Sequence, residues 1–117
     1  MTETDRLYYK EMFTRDRLIP FYDKNRLVCF ITFYICNDEN KYMEADPYKP
    51  LDDIDTGKVC YIAQLITDKN SDNPKLSYEI WHRFKIYIKN SFPLVEYICW
   101  RRWDKLNKVV RTYKKEI

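Results

Sequence analysis

The sequence predicts an α+β fold: a single domain whose mixed, mostly antiparallel sheet is flanked by helices. Two runs, Leu27–Cys36 and Lys58–Ile66, are apolar on both strand faces, so each requires a covering layer above and below it. Leu76–Asn90 has helical spacing and lies between the second run and a third, Val95–Trp100. A strand, a helix and a strand in succession usually pair in parallel, which is what makes the sheet mixed.

The elements follow from the N-terminus. Thr2 to about Arg15 reads as a helix, with Leu7, Tyr8, Met12 and Phe13 at spacings of four or five behind a Thr/Glu/Asp-rich start. Leu18–Tyr22 is a short extended segment that Pro20 keeps out of the middle of a sheet, and Asp23-Lys24-Asn25 is a turn. Leu27–Cys36 is a central strand. An acidic stretch with Pro47 and Pro50 forms a long loop, and Gly57, the one glycine, closes the turn into Lys58–Ile66. Asn73 as N-cap and Pro74 as first residue open a helix whose Leu76, Ile80, Phe84 and Ile88 recur every four positions, broadened by Trp81 and Tyr87. Asn90-Ser91-Phe92-Pro93 ends it. Val95–Trp100 is then a strand beside Lys58–Ile66. The tail from Asp104 to Ile117 suits either a helix or an edge strand.

At 117 residues the chain fits one domain, 1–117, and can bury roughly two-thirds of its unfolded surface. A hydrophobic fraction of 45% with 17% aromatic residues excludes a disordered chain. No apolar stretch reaches the ~20 residues of a membrane span, and the start lacks a basic-then-apolar signal, so the expectation is a cytoplasmic protein that meets no membrane. Cys29, Cys36, Cys60 and Cys99 have no metal-type spacing. They read as small core residues in a reducing compartment, with Cys29 and Cys36 on opposite strand faces.

The net charge of +3 is unevenly spread. Asn37–Thr56 carries seven acids against two bases, a net of −5, whereas Lys75 to the end carries eleven bases against four acids, a net of +7. An anionic partner would prefer the C-terminal part.

The order of helix, short strand, long strand, loop, long strand, helix and strand, with Tyr113 near the C-terminus, resembles the GNAT superfamily of N-acyltransferases over about Phe21 to Tyr113. It is also similar in layout to the lysine acyltransferases that activate RTX toxins and to small phage GNAT-like proteins. The resemblance implies a pyrophosphate cradle, Gln/Arg-x-x-Gly-x-Gly/Ala, in the loop after the central strand, and a cofactor arm lying between two splayed strands. Here that loop is Asp68-Lys69-Asn70-Ser71-Asp72-Asn73-Pro74. It has no glycine for close backbone approach, two carboxylates that repel an anion, and a proline that removes an amide donor. Ser71, Asn73 and Lys75 are the candidate cofactor contacts that remain. Acyl transfer also needs a proton acceptor and a proton donor. By position these are Asp68, or a water held by Gln64, and Tyr113. Ordinary packing or capping roles compete for each.

His82 lies on the charged side of its helix, with no Cys, Asp or Glu at ligand spacing on that face apart from Glu79 one turn back, so no metal site is expected. Asp52–Gly57 lacks the downstream Glu of a calcium loop and reads as a solvated turn. Trp100, Arg101, Arg102, Trp103, Lys105, Lys108 and Arg111 interleave aromatics with bases and form a candidate binding surface.

Three functions follow, and the first is favoured. It is a GNAT-like domain without the glycine loop or a cofactor, non-catalytic, binding a protein partner through exposed aromatics such as Trp103 and Tyr48 or through the acidic loop; the Lys/Asn/Tyr-rich composition suits a phage product, virion-associated or in the host cytoplasm. The second is an acyltransferase that uses acyl-coenzyme A or an acyl carrier protein. The third is a single-stranded nucleic-acid-binding module. Oligomeric state is not legible in the chain.

Overall fold

The computed structural model describes residues 2–38, 53–67 and 75–117, with backbone alone for Trp103 and Asp104. Helix α1 (Glu3–Thr14) starts on a capping box: the Thr2 hydroxyl accepts the Asp5 N–H at 3.1 Å, and the Asp5 carboxylate accepts the Thr2 N–H at 3.1 Å. Five strands follow, β1 (Leu18–Asp23), β2 (Arg26–Cys36), β3 (Val59–Thr67), β4 (Tyr97–Asp104) and β5 (Val109–Glu116), with α2 (Leu76–Ser91) between β3 and β4. They form one sheet in the order β1-β2-β3-β4-β5. Only β3 and β4 are parallel, as the connecting helix requires.

Local chemistry sets each element. Pro20 sits on β1, the outer strand, where its missing N–H breaks no ladder. The β1–β2 turn puts Lys24 and Asn25 at φ 52° and 65°, the left-handed pair that suits a tight hairpin. Gly57 donates its N–H to the Ile54 carbonyl at 2.9 Å, and a Cβ there would lie 2.7 Å from the Cys36 carbonyl oxygen. Backbone crossing, not a left-handed φ, is what requires glycine.

The two helices cover opposite faces of the sheet. On one, Ile80, Phe84 and Ile88 of α2 pack on Cys29, Ile31, Phe33 and Ile98, with the Phe33 and Phe84 rings edge-on at 5.6 Å. On the other, Tyr8 and Met12 of α1 pack on Tyr34, Cys36, Val59 and Cys99. Cys29 and Cys36 therefore face opposite sides, and all four cysteines are buried free thiols.

The structure corrects several expectations. Leu7 and Phe13 are 60% and 64% exposed, because α1 rests on the sheet through the line of Tyr8 and Met12, which they flank. Strand β4 begins at Tyr97, two residues later than expected, and runs to Asp104; the ambiguous tail is strand β5. Helix α2 begins at Leu76 with Lys75 in the cap position and no side-chain cap bond, while Asn73 and Pro74 lie outside the described residues. The described part of the predicted turn, Asp53–Gly57, is not simply solvated, and Asp52 lies outside the described residues. The Asp53 side chain is only 2% exposed and accepts from Arg15 at 2.7 Å, from Arg17 at 2.9 Å and from the Ile35 N–H at 2.9 Å. Arg17, 4% exposed, also pairs with Asp55 and lies 4.9 Å from the Phe92 ring centroid. Burial opposes the Arg17 charge, but hydrogen bonds to Asp55 and Asp53 outweigh it and push the guanidinium pKa up.

Candidate ligand gap between β3 and β4

Strands β3 and β4 are in register for only four pairs, from Val59↔Tyr97 to Ile62↔Trp100. Beyond that point β3 continues to Thr67 paired only with β2, and β4 continues to Asp104 paired only with β5. The two strands part where β3 carries a bulge. Thr32 opposes Gln64 and Phe33 opposes Ile62, which leaves Ala63 without a partner on β2. An extra residue bends its strand and adds twist, and so separates Ala63–Thr67 from its parallel neighbour. The result is a gap whose walls are two strand edges. Alternate backbone N–H and C=O groups of each wall point into it and meet no described strand.

The α1 face of the gap is polar. Gln64 shares this face with Thr32, its register partner, whose hydroxyl accepts from Tyr8 at 3.2 Å; Tyr34 in turn donates to the Tyr8 hydroxyl at 3.4 Å. Among the described residues the Gln64 Oε1 is buried with no hydrogen-bond partner. A buried acceptor of this kind suits an N–H or O–H brought by a ligand. Tyr61 opposes Tyr34 on the same face. Burial pushes its phenol pKa up, against the opposing pull of Arg101, so it is a neutral donor at physiological pH.

The α2 face is aromatic. Trp100 meets Trp81 of α2 edge-on at 5.3 Å and stacks on Tyr113 of β5 at 5.6 Å with 13° between the rings. Lys85 lies 5.9 Å from the Trp81 ring centroid.

The predicted site residues fall in different places. Gln64 lies on the α1 face and Tyr113 on the α2 face, so the structure does not bring these two together. Asp68, Ser71, Asn73 and Tyr48 lie outside the described residues, and Lys75 is exposed just before α2. His82 is exposed and stacks on Tyr78 at 6.2 Å. Within the predicted binding surface Trp100 is half-buried, whereas Arg101, Arg102, Lys105, Lys108 and Arg111 are exposed; the Trp103 side chain is outside the description. No group of three or more metal-ligating side chains occurs among the described residues. Sequence reasoning missed Tyr8, Thr32, Tyr34 and Tyr61 as a polar cluster. The available signal was Thr32, a hydroxyl within an otherwise apolar two-faced strand, which needs a partner.

No family model and no curated protein matches the chain. Among solved structures it is similar to the loading GNATL domain of CurA from Lyngbya majuscula, with a TM-score of 0.63 and 12% identity over 86% of this chain and 53% of that one. It is also similar to the GphF GNAT-like decarboxylase in complex with isobutyryl-CoA, with a TM-score of 0.55 and 12% identity over 82% of this chain and 50% of that one. The chain thus spans about half the length of each. The fold is GNAT-like: a five-stranded mixed sheet with helices on both faces. No helix among the described residues is long and apolar enough to cross a membrane.

Proposed function

We propose that the chain is a non-catalytic binding domain on an N-acyltransferase-like scaffold, seating an extended segment of a partner protein in the gap between β3 and β4. The observation that carries this reading is the divergence past Ile62↔Trp100, which presents two strand edges to an incoming chain. A peptide entering there adds backbone hydrogen bonds to both walls, and its N–H groups suit the unpartnered Gln64 oxygen. Two observations support binding over catalysis. The described candidates for proton acceptor and donor, Gln64 and Tyr113, stand on opposite faces of the sheet. The Asp68–Pro74 connector lacks the glycines a pyrophosphate requires. On composition, with one Gly and 11 Tyr, the domain suits a phage-encoded, virion-associated product.

A second reading is an acyltransferase drawing on acyl-coenzyme A or an acyl carrier protein. It is favoured by one observation: a protein of similar fold, GphF, is in complex with isobutyryl-CoA. Calorimetry with acetyl-coenzyme A separates the two. The binding reading expects no heat from acetyl-coenzyme A, together with slowed hydrogen exchange at Ala63–Thr67 and Arg101–Asp104 when a peptide selected from a displayed library is added. Micromolar acetyl-coenzyme A affinity with protection of those same amides would establish the acyl-donor reading instead.

A further inference from the structure

The β4–β5 hairpin outlasts the sheet that supports it. Strand β3 leaves β4 after Trp100, yet β4 and β5 stay paired through Arg101↔Thr112, Arg102↔Arg111, Trp103↔Val110 and Asp104↔Val109 to the Lys105–Lys108 turn. Every residue of Arg101–Glu116 whose side chain is described is exposed. Past the last rung shared with β3 the hairpin is thus a two-stranded ribbon among the described strands, four rungs long and about 14 Å in reach before its turn, at the 3.4 Å rise of an antiparallel strand.

Its charge is one-signed and not confined to one side. From Arg101 to Ile117 there are seven bases against Asp104 and Glu116, a net of +5. Register and strand alternation place Arg102 and Arg111 directly opposite each other on the α2 face, Arg101 on the α1 face, and Lys105 and Lys108 in the turn. At the other end of the sheet the described acids Asp53 and Asp55 are paired with Arg15 and Arg17, so the uncompensated charge of the described chain gathers on the ribbon.

We infer that this ribbon is an arm that enters the major groove of duplex DNA. A flat acidic protein surface would neutralise one face of the ribbon and leave the other solvated. A groove with phosphates along both walls meets bases on both faces and at the turn together. The B-form major groove, about 12 Å wide and 8.5 Å deep, admits a two-stranded β-ribbon, whereas the narrow A-form groove of RNA does not. Single strands bind by stacking bases on open aromatic faces, and here Trp100 is already held between Trp81 and Tyr113. The arm acts independently of whatever fills the gap between β3 and β4.

Fluorescence anisotropy of the full chain with a labelled duplex of about 20 base pairs tests this. With about five phosphates neutralised, affinity falls roughly 10²- to 10³-fold between about 50 and 200 mM salt. The Arg102→Gln/Lys105→Gln variant alters only exposed side chains, so it keeps the parent melting temperature while the logarithmic salt slope becomes shallower by about 2. No duplex binding at about 50 mM salt, an unchanged slope in the variant, or stronger competition by a single strand or by polyglutamate than by unlabelled duplex would each overturn the inference.

Discussion

The two ends of the sheet solve opposite problems. At one end, where β2 finishes and β3 and β4 begin, three strands are in continuous register, Asp53 is sealed between Arg15 and Arg17, and Phe92 lies against the Arg17 guanidinium. At the other, β3 and β4 part, an amide oxygen is buried with no partner among the described residues, and a charged hairpin runs on past the last described pairing with β3. Polar groups at the first end are consumed by one another; at the second, the buried Gln64 oxygen has no partner among the described residues. A domain of this size has only about 5–15 kcal/mol of net stability, so an open end with unmet polar groups depends on a closed end that is well satisfied.

Four measurements can break or sharpen that contrast. The largest effect is expected from Asp53→Ala, which leaves the Arg17 charge, at 4% exposure, with Asp55 as its one remaining described carboxylate and leaves the Ile35 N–H without its acceptor; urea unfolding should show a loss of about 3 kcal/mol, and a loss below about 1 would remove the closed end's special standing. Thr32→Val, nearer the gap, removes the acceptor for the buried Tyr8 hydroxyl and should cost about 1–2 kcal/mol in the same assay.

The thiols report the contrast through pH. Burial pushes Cys29, at the open end, up to about 11, and pushes Cys60, at the closed end, well above the ordinary thiol range. Unfolded thiols ionise near about pH 8.5 while the folded ones keep their protons, so this contribution to stability is complete below that pH and is lost as pH rises towards 11. The urea midpoint should fall across that window, and mass-mapped alkylation should reach Cys29 before Cys60. The smallest effect is expected at the gap itself. Gln64→Met deletes an acceptor that has no partner among the described residues, so stability should change by less than about 1 kcal/mol in either direction, while protection of Ala63–Thr67 by a bound peptide should be lost.

Much of the fold was legible because its signals are local. Pro20 marked an edge strand, the two-faced apolar run Leu27–Cys36 marked an inner one, and the four-residue recurrence of Ile80, Phe84 and Ile88 marked the helix that covers it. The tail was not legible, since Leu106, Val109, Val110 and Tyr113 satisfy both periods and only pairing with β4 chooses between them. The site was least legible of all. The gap depends on Ala63 having no partner across from Thr32 and Phe33, a register fact that neither strand carries alone. The Arg17–Asp53 pair joins positions 36 residues apart, and no spacing rule reaches that far.

Gly57 is the one glycine of the chain. That one glycine admits no ligand; the space a Cβ would need is filled by the chain's own Cys36 backbone. A deep mutational scan would therefore find position 57 almost closed to replacement, alanine included, whatever ligand the molecule meets, since one added methyl would pry apart the base from which both diverging strands are cantilevered.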